Sequence, residues 1–230
     1  MSIVSQRGKV PSHIALIPDG NRRWSRGQGL SILSGYKNGV EKFIAFSIWA
    51  KAMGVRTLTV WGLSTENIKN RSKLELSTLY GLYTKAANDP KLLALLLKNN
   101  ARIKFVGDFK LVPIKLRKLL VRLEAKTKAC KDLTINILIA YGGRDDILYA
   151  ASRSGSSSEK DFGKRIRTSS IPEVDLIIRT SGEHRLSGFL PWQTDYSEIY
   201  FSRKFWPDFQ RRDLKRAVDS YASRERRFGK

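Results

Sequence analysis

His13-Ile14-Ala15-Leu16-Ile17-Pro18-Asp19-Gly20-Asn21-Arg22-Arg23-Trp24 decides the fold. The apolar run His13 to Pro18 is too short for a helix and stops at a turn signal, so it predicts a buried strand. The turn Asp19-Gly20-Asn21 then leads into fixed cations, and Gly20 with Asn21 supplies the tight turn. A second segment repeats the pattern. Asp175-Leu176-Ile177-Ile178-Arg179-Thr180-Ser181-Gly182-Glu183-His184-Arg185-Leu186-Ser187 is again an apolar strand running into small turn residues and arginines. Backbone N–H groups at a helix start, joined by guanidinium forks, hold phosphate. Two such segments in one chain predict two phosphorylated substrates.

Between these segments the chain alternates strand and helix. Val55 to Leu63, Ala101 to Val106, Leu133 to Tyr141, Leu176 to Arg179 and Glu198 to Phe201 read as further strands. Helical spacing is predicted over 36–53, 73–99 with a break near Asn88-Asp89-Pro90, 113–129 and 210–223, with another helix starting near Asp145. Residues 153–165 are Ser-, Gly- and charge-rich and predict a surface loop. Alternation with fully apolar strands predicts an α/β domain around a largely parallel six-stranded sheet covered on both faces. Ligands of such sheets bind beyond the carboxyl ends of the strands, where Asp19, Ser64, Gly107, Gly142 and Arg179 all fall. Residues 1–12 read as a loose basic leader and 13–230 as one domain.

Composition narrows the setting. One cysteine among 230 residues leaves no internal disulfide and no thiolate cluster, which predicts a reducing, cytoplasmic compartment. No apolar leader is present, and Leu92 to Leu97 is too short to span a bilayer. Lysine and arginine outnumber acids by 43 to 21, a net charge of +22. Such a field attracts nucleic acid, anionic membrane or phosphorylated small molecules. The basic runs, densest toward the C-terminus, also read as plain solvated helix faces. No nucleic-acid motif is found, and the aromatics are not interleaved with the basic runs as stacking platforms would be.

Asp19 reads two ways: as a helix N-cap, or as a Mg²⁺ ligand beside substrate phosphates. Glu198, polar amid aromatic and apolar neighbours, is the candidate second acid. Arg179, ending an apolar strand, requires an anion, either a ligand or a structural partner such as Asp175 or Glu183. Ser64-Thr65-Glu66-Asn67 is a capping box or a polar loop over the ligand. The two histidines lack metal-ligand spacing, and neither Gly-x-Ser-x-Gly nor a Walker loop is present.

Together, His13 to Trp24, Ser64 to Asn67, Tyr141-Gly-Gly-Arg144, Asp175 to Ser187, Trp192-Gln193 and Arg224-Glu-Arg-Arg-Phe-Gly229 resemble the cis-prenyltransferases, the Z-type polyprenyl diphosphate synthases. The motifs occur in family order from about residue 13 to residue 229. The resemblance implies a homodimer that condenses an allylic diphosphate with isopentenyl diphosphate. It implies Mg²⁺ on Asp19, completed by Glu198, and a cradle for the allylic diphosphate from Gly20, Asn21, Arg22, Arg23, Trp24 and Arg71. Isopentenyl diphosphate falls to Arg179, Arg185 and Ser187, with Arg227 and Gly229 reaching across the dimer. Asn67 would stand near the reacting carbons, Trp24 and Leu63 on the floor, and residues 74–97 along an apolar tunnel. Peripheral contact with an anionic membrane is compatible, because long prenyl products partition into lipid.

The departures from the family pattern cluster on the donor side. Ile32 stands where an arginine is frequent, Tyr36 where a histidine is, and Ile68-Lys69-Asn70-Arg71 carries its arginine one position late. An altered donor pocket is therefore expected, with a short donor, a short product or irregular coupling. A non-catalytic partner subunit is the alternative reading, although Asp19, Asn21, Arg23 and Glu198 are all present.

Overall fold

A computed structural model describes residues 10–153 and 158–224 of the chain. Six strands, β1 (His13–Ile17), β2 (Thr57–Ser64), β3 (Ala101–Val106), β4 (Leu133–Tyr141), β5 (Leu176–Arg179) and β6 (Glu198–Phe201), form one sheet in the order β3-β4-β2-β1-β5-β6. Every pairing is parallel. Strand β1 alternates between two cores, as its period of two requires. Ile14 and Leu16 join the larger one with Phe46, Leu58, Leu120 and Trp206, while Ala15 and Ile17 join Leu138, Tyr141 and Phe189 on the other face.

Helices α1 (Asn21–Gly27), α2 (Ile32–Ala52), α3 (Thr65–Asn70), α4 (Lys73–Asn88), α5 (Pro90–Lys98), α6 (Ile114–Thr127), α7 (Gly143–Ala151), α8 (Glu159–Gly163) and α9 (Arg211–Ala222) complete the architecture. The break predicted near Pro90 is real: Asp89 caps α5 by accepting from the Lys91 N–H at 2.8 Å. Two expectations change. Asn21 opens α1 instead of closing a turn, and α8, capped by Ser158, lies within the segment read as a loop. Residues 11 and 12 pack onto the domain. Pro11 is buried, and Ser12 donates its N–H to Asp175 and accepts from the N–H groups of Arg56 and Thr57.

The strand order reverses at β1. From β1 the chain adds β2, crosses to β3 at the edge, returns to fill the gap with β4, and then adds β5 and β6 on the other side of β1. The crevice beyond the carboxyl ends of β1 and β5 is thus the switch point where such sheets bind ligands. Asp19 follows β1 by two residues, and Arg179 ends β5 in register with Ile17.

Candidate active site

Gly20 starts α1 with φ +101°, and a Cβ there would stand 2.6 Å from Phe205 Cδ1, so the position requires glycine. No side chain caps α1, which removes the reading of Asp19 as an N-cap. Asp19 turns instead to two guanidinium groups. Arg179 Nη2 donates to Oδ2 at 2.9 Å and Arg23 Nη2 to Oδ1 at 3.3 Å. The Asp19 carbonyl accepts from Thr180 Oγ1 at 2.7 Å and from the Trp206 N–H at 3.0 Å, which locks the turn to β5. Burial pushes the Asp19 carboxyl up, but the Arg179 hydrogen bond and the charges of Arg179 and Arg23 outweigh it and hold the group below its ordinary range.

Arg179 is 5% exposed and does not pair with Asp175 or Glu183. Besides Asp19 it reaches Ser187 Oγ at 3.0 Å and the Arg185 carbonyl, and its Nε is buried without a partner. Arg23 bridges Asp19, Ser181 Oγ at 2.8 Å and Glu183 at 2.9 Å, with its guanidinium 5.6 Å over the Phe205 ring. Arg185 pairs with the other Glu183 oxygen. These two arginines hold the Glu183 carboxyl below its usual range, the Arg23 hydrogen bond contributing most. The predicted residues Asp19, Arg23, Arg179, Arg185 and Ser187 therefore form one cluster. Ser181, Thr180 and Phe205 belong to it without a role legible in the sequence, and Glu183, expected as a partner of Arg179, pairs with Arg23 and Arg185 instead.

A second cluster lies around Glu75. Its Oε1 accepts from Tyr36 Oη at 2.6 Å, with Arg71 Nε at 3.4 Å and Arg22 Nη1 at 3.7 Å. Arg71 also stands 5.5 Å over the Tyr36 ring. The late arginine thus joins Arg22 here rather than Arg23. Asn67 sits in the first turn of α3, whose N-cap Ser64 accepts the Asn67 N–H at 3.0 Å. Asn21 donates from Nδ2 to the Pro18 carbonyl at 2.9 Å, while its Oδ1 is buried without a partner.

Asn21 and Tyr36 also line an apolar cavity of about 190 Å³ between the sheet and helices α2, α4, α5 and α6. Phe43, Leu79, Tyr83, Leu96 and Leu120 lie along it, so the 74–97 segment forms a wall as expected. Trp24 and Leu63 do not line it. Trp24 Nε1 donates to Asp208 at 2.8 Å, and Leu63 is packed in the core.

Glu198 corrects the sequence reading. It opens β6 in register with Leu176, three positions before the Arg179–Phe201 pair, and so lies about 10 Å back toward the amino edge of the sheet. There it accepts from Arg224 at 2.7 Å, and within one chain it does not share an ion with Asp19. Among the described residues no three His, Cys, Asp or Glu side chains form a metal cluster. The donor set at Asp19 fits magnesium in the form where one carboxylate joins substrate phosphate oxygens. Arg227 and Gly229 lie outside the described residues.

Two cationic loops at the switch point of a parallel sheet, beside an apolar cavity, define an α/β protein suited to phosphorylated molecules with apolar tails. The chain matches, over residues 17–229, the family model described as putative undecaprenyl diphosphate synthase. It is 38% identical to an isoprenyl transferase of Thermus thermophilus over 98% of this chain and 91% of the relative. It is 39% identical to a geranylgeranyl-diphosphate-specific tritrans,polycis-undecaprenyl-diphosphate synthase of Pyrobaculum aerophilum, covering 96% and 97%. Among solved structures, lavandulyl diphosphate synthase of Lavandula x intermedia, in complex with dimethylallyl diphosphate, superposes with TM-score 0.89 at 33% identity, covering 96% of this chain and 99% of that one. A probable undecaprenyl diphosphate synthase of Campylobacter jejuni gives 0.81 at 31%, covering 96% and 100%. The chain belongs to the undecaprenyl diphosphate synthase family of cis-prenyltransferases.

Proposed function

We propose that the protein joins an allylic prenyl diphosphate to isopentenyl diphosphate and releases diphosphate. The observation that carries this reading is the Asp19–Arg179 pair at the sheet's switch point, beside an apolar cavity that Asn21 and Tyr36 help to line. The allylic C–O bond breaks, its electrons leave with the diphosphate, and the acceptor alkene attacks the allylic carbon and then loses a proton. Arg179, Arg185 and Ser187 bind the acceptor diphosphate. Arg22, Arg23 and Arg71, with the Gly20-Asn21 backbone, bind the donor's, and Asn67 faces the reacting carbons. Fixed cations aimed at developing negative charge supply the largest share of such catalysis. Asp19, together with substrate phosphate oxygens, would hold magnesium, which would supply positive charge against the leaving diphosphate. With its carboxyl held acidic by Arg179 and Arg23, Asp19 is a poor base, which favours a diphosphate oxygen as proton acceptor.

The donor side is remodelled at Ile32, Tyr36 and Arg71, and a short donor, a short product or irregular coupling follows. Labelled isopentenyl diphosphate with dimethylallyl, geranyl, farnesyl and geranylgeranyl diphosphates tests both points. Prenyl product that peaks with a short donor, or an irregular product, is expected. Ordinary long-chain Z-polyprenyl product from farnesyl diphosphate alone overturns the remodelled donor side, and no product with any donor overturns the reading.

The working form is a homodimer in the cytoplasm, in peripheral contact with an anionic membrane. No helix among the described residues is long and apolar enough to cross a bilayer. The outer face of α6 favours the surface contact. Lys115, Lys118, Arg122 and Lys126 are exposed there beside exposed Leu111, Ile114 and Val121, on a helix whose inner residues Leu120 and Leu123 line the cavity.

A further inference from the structure

Glu75 is surrounded by more donors than one carboxylate oxygen can satisfy. Tyr36 Oη, Arg71 Nε and Arg22 Nη1 all approach the same atom, Oε1, at 2.6, 3.4 and 3.7 Å. Only the first is a short, charge-assisted hydrogen bond. Arg71 Nε is left buried with no hydrogen-bond partner, although its side chain is 16% exposed and Glu75's is 13%. The carboxylate is steered into this arrangement from both sides. Ser72 caps α4 by accepting the Glu75 N–H at 3.2 Å, and buried Tyr36 reaches over from α2. Burial first, and then the Glu75 hydrogen bond, push the Tyr36 phenol up, so it stays protonated and donating.

We propose that Tyr36 is a positioning residue for donor recognition: by occupying Glu75 Oε1 it holds that carboxylate in long ion pairs with Arg71 and Arg22, 3.4 and 3.7 Å, and keeps it from closing to full hydrogen bonds, so that the diphosphate of the allylic donor can compete for both guanidinium groups. The ring of Tyr36 lines the apolar cavity and stands under Arg71, so the same side chain marks the point where the donor's charged head ends and its tail begins. Without the hydroxyl, Glu75 turns to the nearest cations and competes with the donor for them.

This inference rests on the donor reading of Arg22 and Arg71. The test is calorimetric binding without turnover. Dimethylallyl diphosphate and isopentenyl diphosphate are each titrated alone, with magnesium, into wild type, Tyr36→Phe, Glu75→Gln and Tyr36→Phe/Glu75→Gln. Tyr36→Phe keeps the ring and is expected to weaken dimethylallyl diphosphate binding about tenfold, with isopentenyl diphosphate unchanged. Adding Glu75→Gln removes the competing charge and restores donor affinity, and Glu75→Gln alone binds the donor at least as tightly as wild type. A merely structural role moves both ligands together or makes the two changes additive. Unchanged donor binding in Tyr36→Phe, equal weakening of both ligands, a double variant worse than either single, or weaker donor binding in Glu75→Gln would each overturn the proposal. Because binding is read without turnover, its failure is distinct from a failure to find prenyl product.

Discussion

Consider Asp19→Ala. In the wild type the half-buried Asp19 carboxylate satisfies Arg179, whose side chain is 6% exposed. Removing one partner of a buried pair costs about 3–5 kcal/mol because the other charge is left uncompensated. Asp19 is 30% exposed and Arg179 keeps Ser187 and the Arg185 carbonyl, so the lower end applies, about 3 kcal/mol. For a chain of this size that lowers the melting temperature by roughly 6–12 °C. The sign of the response to an anion is more diagnostic than the loss itself. With magnesium chelated, inorganic diphosphate meets a negative carboxylate in the wild type and none in the variant. The variant is therefore expected to bind it on the order of tenfold more tightly, about 1.4 kcal/mol, and to recover much of its lost stability. Adding magnesium reverses the order, because Asp19 is then missing as a ligand, and transferase activity is absent throughout. Scanning calorimetry across a diphosphate series reads all of this. Equal stability of the two proteins, or equal stabilisation by magnesium-free diphosphate, refutes the charge balance argued for the site.

Two further expectations concern regions outside the cluster. Burial holds the His13 imidazole below its usual 6.5 against the opposing carbonyls of Glu173 and Pro172, so the folded chain binds fewer protons than the unfolded one and stability falls as pH drops below about 6.5. Urea midpoints between pH 7.5 and 5 show this slope, and His13→Gln flattens it; an identical slope in the variant assigns it elsewhere. On α6, replacing Lys115, Lys118 and Arg122 with glutamine removes about 1 kcal/mol of surface attraction each, on the order of a hundredfold in binding to vesicles containing anionic lipid. Binding that survives the substitutions, or that is equal on neutral vesicles, excludes this face as the contact.

Much of the fold is legible from pattern alone, because parallel strands buried on both faces read as unbroken apolar runs. The strand starting at His13 and the one ending at Arg179 are legible from that signal and from the turn residues after them. Helix α1 is not, since Asn21-Arg22-Arg23-Trp24-Ser25-Arg26-Gly27 carries no apolar period and follows strong turn signals. Its helicity comes from the left-handed Gly20 and from packing against α2, with Gly35 close to the Asn21 carbonyl and Ser25. The short α8 hid in polar sequence for the same reason: a Ser158 cap and five residues make no period.

The site divides along a similar line. Asp19, Arg23, Arg179, Arg185 and Ser187 are legible because Arg179 ends a strand and the others lie within eight residues after one, and the topology of a parallel sheet then brings them to one edge. Glu198 illustrates the converse. Being polar among apolar neighbours marks a residue as unusual but does not say which edge it occupies. As the first residue of a parallel strand it belongs to the amino edge, a conclusion its position in 198–201 already contained. The Tyr36–Glu75 contact lies beyond any such argument. The two residues are 39 positions apart on different helices, and only the packing of α2 against α4 makes one the partner of the other. A position where the chain departs from its family's pattern is therefore understood only with its new partner in view: the hydroxyl of Tyr36 matters because a carboxylate with two waiting arginines stands 2.6 Å away.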